Sequence, residues 1–121
     1  MEEAIERECL EETGYSVKIE KLVAIYEEIF IVDTSWMNET QLSVYERNSH
    51  KIYFVFICRL DSQPQREATE KDVDFVESEW VAIEEVKNLL LLPKPFHDNF
   101  DLMLHTETPI FLGSTRIDMR K

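Results

Sequence analysis

Glycine is scarce in this chain of 121 residues: the sequence holds Gly14 and Gly113 and no other. A loop that cradles phosphate on successive backbone N–H groups needs several glycines close together, so a glycine-rich nucleotide loop is excluded. Cysteine is as sparse. Cys9 and Cys58 share no metal-ligand spacing with each other or with the scattered His50, His97 and His105. A zinc framework is therefore not expected, and both cysteines read as buried, reduced thiols. Basic residues are few, 13 against 25 acidic ones, for a formal net charge of −12. That balance repels nucleic-acid phosphates and anionic membranes, so neither is an expected partner. No apolar run approaches membrane-spanning length, and the acidic N-terminus does not have the makings of a signal peptide. A cytoplasmic location is expected.

What is present suits a folded protein. Hydrophobic residues at 44% and charged residues at 31% argue against disorder. The length fits a single domain over residues 1–121 with one modest core.

The stretch Arg7-Glu8-Cys9-Leu10-Glu11-Glu12-Thr13-Gly14-Tyr15 organises the rest. Read as a helix over 1–13, it places Glu8, Glu11 and Glu12 at i, i+3 and i+4, on one surface patch. Gly14 is the natural left-handed residue to end it. Ala4, Ile5, Cys9 and Leu10 make the expected buried stripe. Local physics does not favour the acids: like charges one turn apart repel, and the last turn prefers cations. Arg7 can pair with Glu11 but cannot neutralise three carboxylates. A Glu-rich helix most often shows a solvated face. A divalent cation is the alternative, and hard oxygen donors suit Mg²⁺ or Mn²⁺ better than zinc.

The ordered string decides between these. Its chance occurrence in a chain this short is on the order of one in ten thousand. Arg7 to Tyr15 resembles the second half of the Nudix box, Gx5Ex7REUxEExGU, with Cys9 and Tyr15 in its two apolar slots. The first half of the box, and the strands that precede it in that family, would fall before Met1. The resemblance implies an α/β fold, a Nudix-like α/β/α sandwich with a mixed sheet, truncated at its N-terminus. It implies Mg²⁺-dependent hydrolysis of a diphosphate bond in a nucleoside diphosphate linked to another moiety. Glu8, Glu11 and Glu12 match the metal-binding glutamates, and Arg7 matches the arginine that orients them. Arg7, Glu11 and Glu12 are then catalytic, with Glu77 as a further acid from a late loop and Asp74 as its runner-up. The stretch Val76 to Val86 looks like a late segment of the same family, where an acid precedes an aromatic strand and a short helix. The alternative is a catalytically impaired Nudix-like module that binds a ligand or dimerises. A homodimer is the expected cover for the face left by the missing strands.

Along the chain, residues 16–32 read as a strand that enters a sheet buried on both faces. Residues 33–49 have no clear period and read as a long loop, whose Trp36 and Tyr45 either stack on a base or pin the loop. Residues 51–60 are apolar on both faces and read as a central strand. A strand over 72–83, a helix over 84–91 stopped by Pro93 and Pro95, and a helix over 96–105 follow. The run Ile110-Phe111-Leu112 reads as an edge strand or a dimer contact.

Overall fold

The computed structural model describes residues 1–61 and 78–120. The first helix, α1, covers Glu2–Thr13, and Gly14 ends it at φ 80, its N–H bonding to the Leu10 carbonyl at 2.8 Å. Only a residue without a Cβ adopts that left-handed turn at no steric cost. The chain then runs extended as β1, Val17–Ile31. Helix α2, Glu39–Asn48, and strand β2, His50–Leu60, follow. Beyond them come a 3-10 helix over Ile83–Asn88, short helices α3 (Lys94–Asp98) and α4 (Phe100–His105), and strand β3, Ile110–Asp118.

The three strands form one sheet in the order β2-β1-β3. Phe30 N–H bonds to the Ser49 carbonyl at 2.7 Å, and Asp61 N–H to the Ser16 carbonyl at 2.9 Å. Those partners approach from opposite ends of the sequence, so β2 runs antiparallel to β1. β3 runs parallel to β1, from Ala24 opposite Ile110 to Ile31 opposite Asp118. The sheet is thus mixed, and with its helices it makes an α/β fold. One residue too many stands in β3 between Phe111 and Ser114, and Gly113 absorbs it at φ 92.

The chain divides into two compact units: Met1–Lys21 with Phe56–Leu104, and Leu22–Val55 with His105–Lys121. The second holds Val23, Ala24 and Tyr26 fully buried; the first holds buried Met103. Val23 and Ala24 are adjacent, so β1 is covered on both faces there, as its continuous apolar run requires.

Several expectations need correction. Residues 33–49 contain a helix: Asn38 Oδ1 accepts from Gln41 N–H and Gln41 Oε1 from Asn38 N–H, each at 2.9 Å. This reciprocal capping box starts α2 without help from an apolar stripe. Tyr45 pins that helix, its hydroxyl donating to the Phe30 carbonyl at 2.8 Å. β2 is not central among the described strands but an edge, and Ile52 and Phe54 are 54% and 42% exposed. The helix expected over 96–105 is broken at Asn99, where φ −114 and ψ 17 leave the helical region. The described residues of the expected 72–83 strand, 78–83, form no strand: Ile83 already opens a 3-10 helix that stands where the α-helix over 84–91 is expected. In α1 no residue is fully buried, and Ala4 is exposed. The cysteines are free, as expected, but half-buried. Burial, then neighbouring Cys9, pushes the Cys58 thiol above its usual value. The run at 110–112 is the start of a strand three times as long.

Candidate active site

The box residues lie on α1, in the first unit. Two contacts fasten the helix to the start of β1: Ile19 N–H donates to Glu6 Oε1 at 3.4 Å, and Lys18 Nζ lies 3.7 Å from Glu6 Oε2. Both come from the turn just before the box acids, so that face of the helix is set toward the strand.

The C-terminal end is closed by side chains as well as by Gly14. Thr13 Oγ1 donates to the Cys9 carbonyl at 2.6 Å and accepts from Tyr15 N–H at 3.1 Å. Thr13 therefore uses both its capacities to end the helix and turn the chain into Tyr15. Tyr15 meets Trp80 edge to face, with ring centroids 4.9 Å apart and planes at 81°. The Trp80 Nε1–H donates to the Tyr15 hydroxyl at 3.1 Å. Sequence reading saw Trp80 only as part of a strand; no local pattern ties it to a residue 65 positions away.

Arg7 Nε stands 4.0 Å from Glu11 Oε1, one turn along, as the spacing predicts. Glu8 is exposed, whereas Glu11 and Glu12 are half-buried. Glu77 and Asp74 lie outside the described residues. Among the described residues, no three His, Cys, Asp or Glu side chains gather closely enough to hold a metal ion. The donor chemistry nonetheless fits a hard cation. Mg²⁺ is commonly bound through one or two carboxylates, with water and substrate phosphate completing its shell. Side chains three and four apart on a helix have Cβ atoms about 5–6 Å apart, within reach of one ion.

A second acidic pair, absent from the sequence reading, occupies β1 in the other unit. Glu27 Oε2 lies 2.6 Å from His50 Nε2, and Glu27 Oε1 accepts from Ser114 Oγ at 2.5 Å. These bonds, Ser114 first and His50 next, hold the Glu27 carboxyl below its ordinary value. Adjacent Glu28 is only 8% exposed and accepts from the hydroxyls of Tyr26 at 3.5 Å and Tyr53 at 3.3 Å. The two tyrosine rings stack with centroids 5.8 Å apart. Burial, then the Glu28 charge, pushes the Tyr53 hydroxyl above its usual value. The pair ties three strands together: Glu27 bonds across to β2 and β3 at once. It does not form a nucleophilic triad, because Glu27, not His50, is the group in contact with the serine.

No described helix is long and apolar enough to cross a membrane. No curated protein and no solved structure matches the chain. A family model described as the NUDIX domain matches residues 1–102. That span carries the box helix, the strands β1 and β2 and the segment through Trp80, and the chain belongs to the Nudix hydrolase family.

Proposed function

We propose that this Nudix-type hydrolase cleaves a diphosphate bond in a nucleoside diphosphate linked to another moiety, dependent on Mg²⁺ or Mn²⁺, and acts as a single domain in the cytoplasm. The observation that carries the reading is the placement of Glu8, Glu11 and Glu12 along one turn of a helix that Glu6 fastens to β1 and Thr13 closes at its C-terminal end. Glu8, Glu11 and Glu12 would hold the cation, which when bound neutralises diphosphate oxygens and acidifies a coordinated water. A chain of net charge −12 needs that neutralisation before it can admit a phosphate ester.

The chain's own residues do the rest. Arg7, 4.0 Å from Glu11, would orient that carboxylate toward the ion. A carboxylate not engaged with the ion takes the proton of the attacking water, with Glu77 as the further acid. Water adds to one phosphorus, and the bridging P–O bond breaks. Phosphoryl transfer asks little of a protein beyond position and charge, so a few acids on a fixed helix suffice.

The test is release of nucleoside monophosphate across a panel of nucleoside diphosphate derivatives, with and without Mg²⁺. The double variant Glu11→Gln with Glu12→Gln should lose at least about a hundredfold in turnover. Undiminished turnover in that variant, or turnover indifferent to metal, contradicts the proposal.

A second reading, a ligand-binding module that dimerises without turnover, draws on the exposed Ile52 and Phe54 of edge strand β2. A second copy of the chain would cover them. Sedimentation at micromolar concentration separates the readings: a stable monomer removes the dimer.

A further inference from the structure

We propose that Trp80 is the stacking platform for the base of the substrate, a specificity-determining residue that rests on the hydrolase reading above. Trp80 is 69% exposed, a large apolar surface to leave in water. Trp36 is similarly exposed at 65%, but among the described residues no hydrogen bond or ring contact holds its indole. Trp80 is held. Its Nε1–H, which lies in the plane of the indole at its edge, points to the Tyr15 hydroxyl at 3.1 Å, and the two rings stand at 81°. The Nε1–H edge of the indole is thus taken up by Tyr15, while the residue stays largely exposed to solvent. An aromatic ring anchored by its edge is already in the orientation that a planar base needs, so little rotamer freedom is lost on binding.

Its position suits the chemistry. Tyr15 follows Glu12 by three residues, a chain length that spans at most roughly 11 Å. The contact with Tyr15 therefore keeps the indole near the end of α1 that carries Glu11 and Glu12. Stacking also requires no cation. In a chain of net charge −12 the phosphates depend on metal, whereas an uncharged base does not. Purines, with the larger π surface, should be favoured over pyrimidines.

The chain has two tryptophans, so Trp36→Phe leaves Trp80 as the sole indole reporter. Adenosine titrated into that variant without metal should quench its fluorescence saturably. Uridine should act more weakly, and ribose 5-phosphate should have no effect. In Trp80→Phe, where Trp36 reports, adenosine should not quench. On a nucleoside diphosphate substrate, Trp80→Ala should raise KM about tenfold with little change in kcat. Trp80→Phe should recover part of that, and a base-free organic diphosphate should be turned over with unchanged KM by all three forms. No saturable quench by adenosine, or an equal KM increase for the base-free substrate, overturns the proposal. If the chain hydrolyses no diphosphate at all, the hydrolase reading fails while the adenosine titration still decides the role of Trp80.

Discussion

Two sets of glutamates in this chain meet opposite conditions. Glu27 and Glu28 on β1 are answered by the protein itself: a histidine and a serine take the first, and two tyrosine hydroxyls take the second. Glu8 and Glu11 on α1 are not settled in that way. Glu8 is exposed, and Glu11 faces Arg7 at 4.0 Å, the outer limit of an ion pair, across a solvated surface. α1 also has no side-chain N-cap bond and no basic residue in its last turn. A carboxylate that the fold satisfies contributes to folding; one placed against the local preferences of its helix is a candidate for function. That contrast sets Glu8 and Glu11 apart from Glu27 and Glu28 without appeal to the motif.

The contrast can be broken in order of effect. The largest is on turnover, where removing both Glu11 and Glu12 costs about a hundredfold while unfolding in urea shifts by no more than about 0.5 kcal/mol. Comparable losses in activity and stability would mean that these acids are structural too. Next comes Glu28→Ala, which strips the buried Tyr26 hydroxyl and the half-buried Tyr53 hydroxyl of a charged acceptor and should destabilise by about 2 kcal/mol, read from the urea midpoint. An unchanged midpoint would remove Glu28 from the structural set. The smallest is a pH effect at Glu27. Its folded carboxyl lies below the ordinary 4.5, so its contribution is present above that value and is lost as pH falls through the lowered one. Acid unfolding of Glu27→Gln should accordingly be shallower than that of the parent below about pH 4.5. Superimposable acid-unfolding curves would contradict that account of Glu27.

Much of this was legible from the residues alone. The box helix, its end at Gly14 and the Arg7–Glu11 pair all follow from rules that act within one or two turns. β1 and β2 were equally readable from their β-branched and aromatic runs. α2 was not, because an apolar period was sought where a capping box supplied the start; Asn38 and Gln41, three apart, were the missed signal. The break at Asn99 escaped for the opposite reason: Phe96, Phe100, Met103 and Leu104 keep a helical period across a residue that leaves the helix. The edge position of β2 could not be read, since burial on both faces and exposure on one give the same apolar string. Glu27–Ser114 and Tyr15–Trp80 join residues 87 and 65 positions apart, and no local pattern encodes either.

The central claim is that the acids of α1 hold a divalent cation, and it can be tested apart from any substrate. Mn²⁺ titrated into the protein, followed by the relaxation of solvent water protons, reports the bound ion directly. Saturable binding in the parent chain, lost in Glu8→Gln combined with Glu11→Gln and Glu12→Gln and retained in Glu27→Gln, is the predicted result. Binding that survives the triple change, or that disappears with Glu27 instead, would place the ion elsewhere and contradict the account.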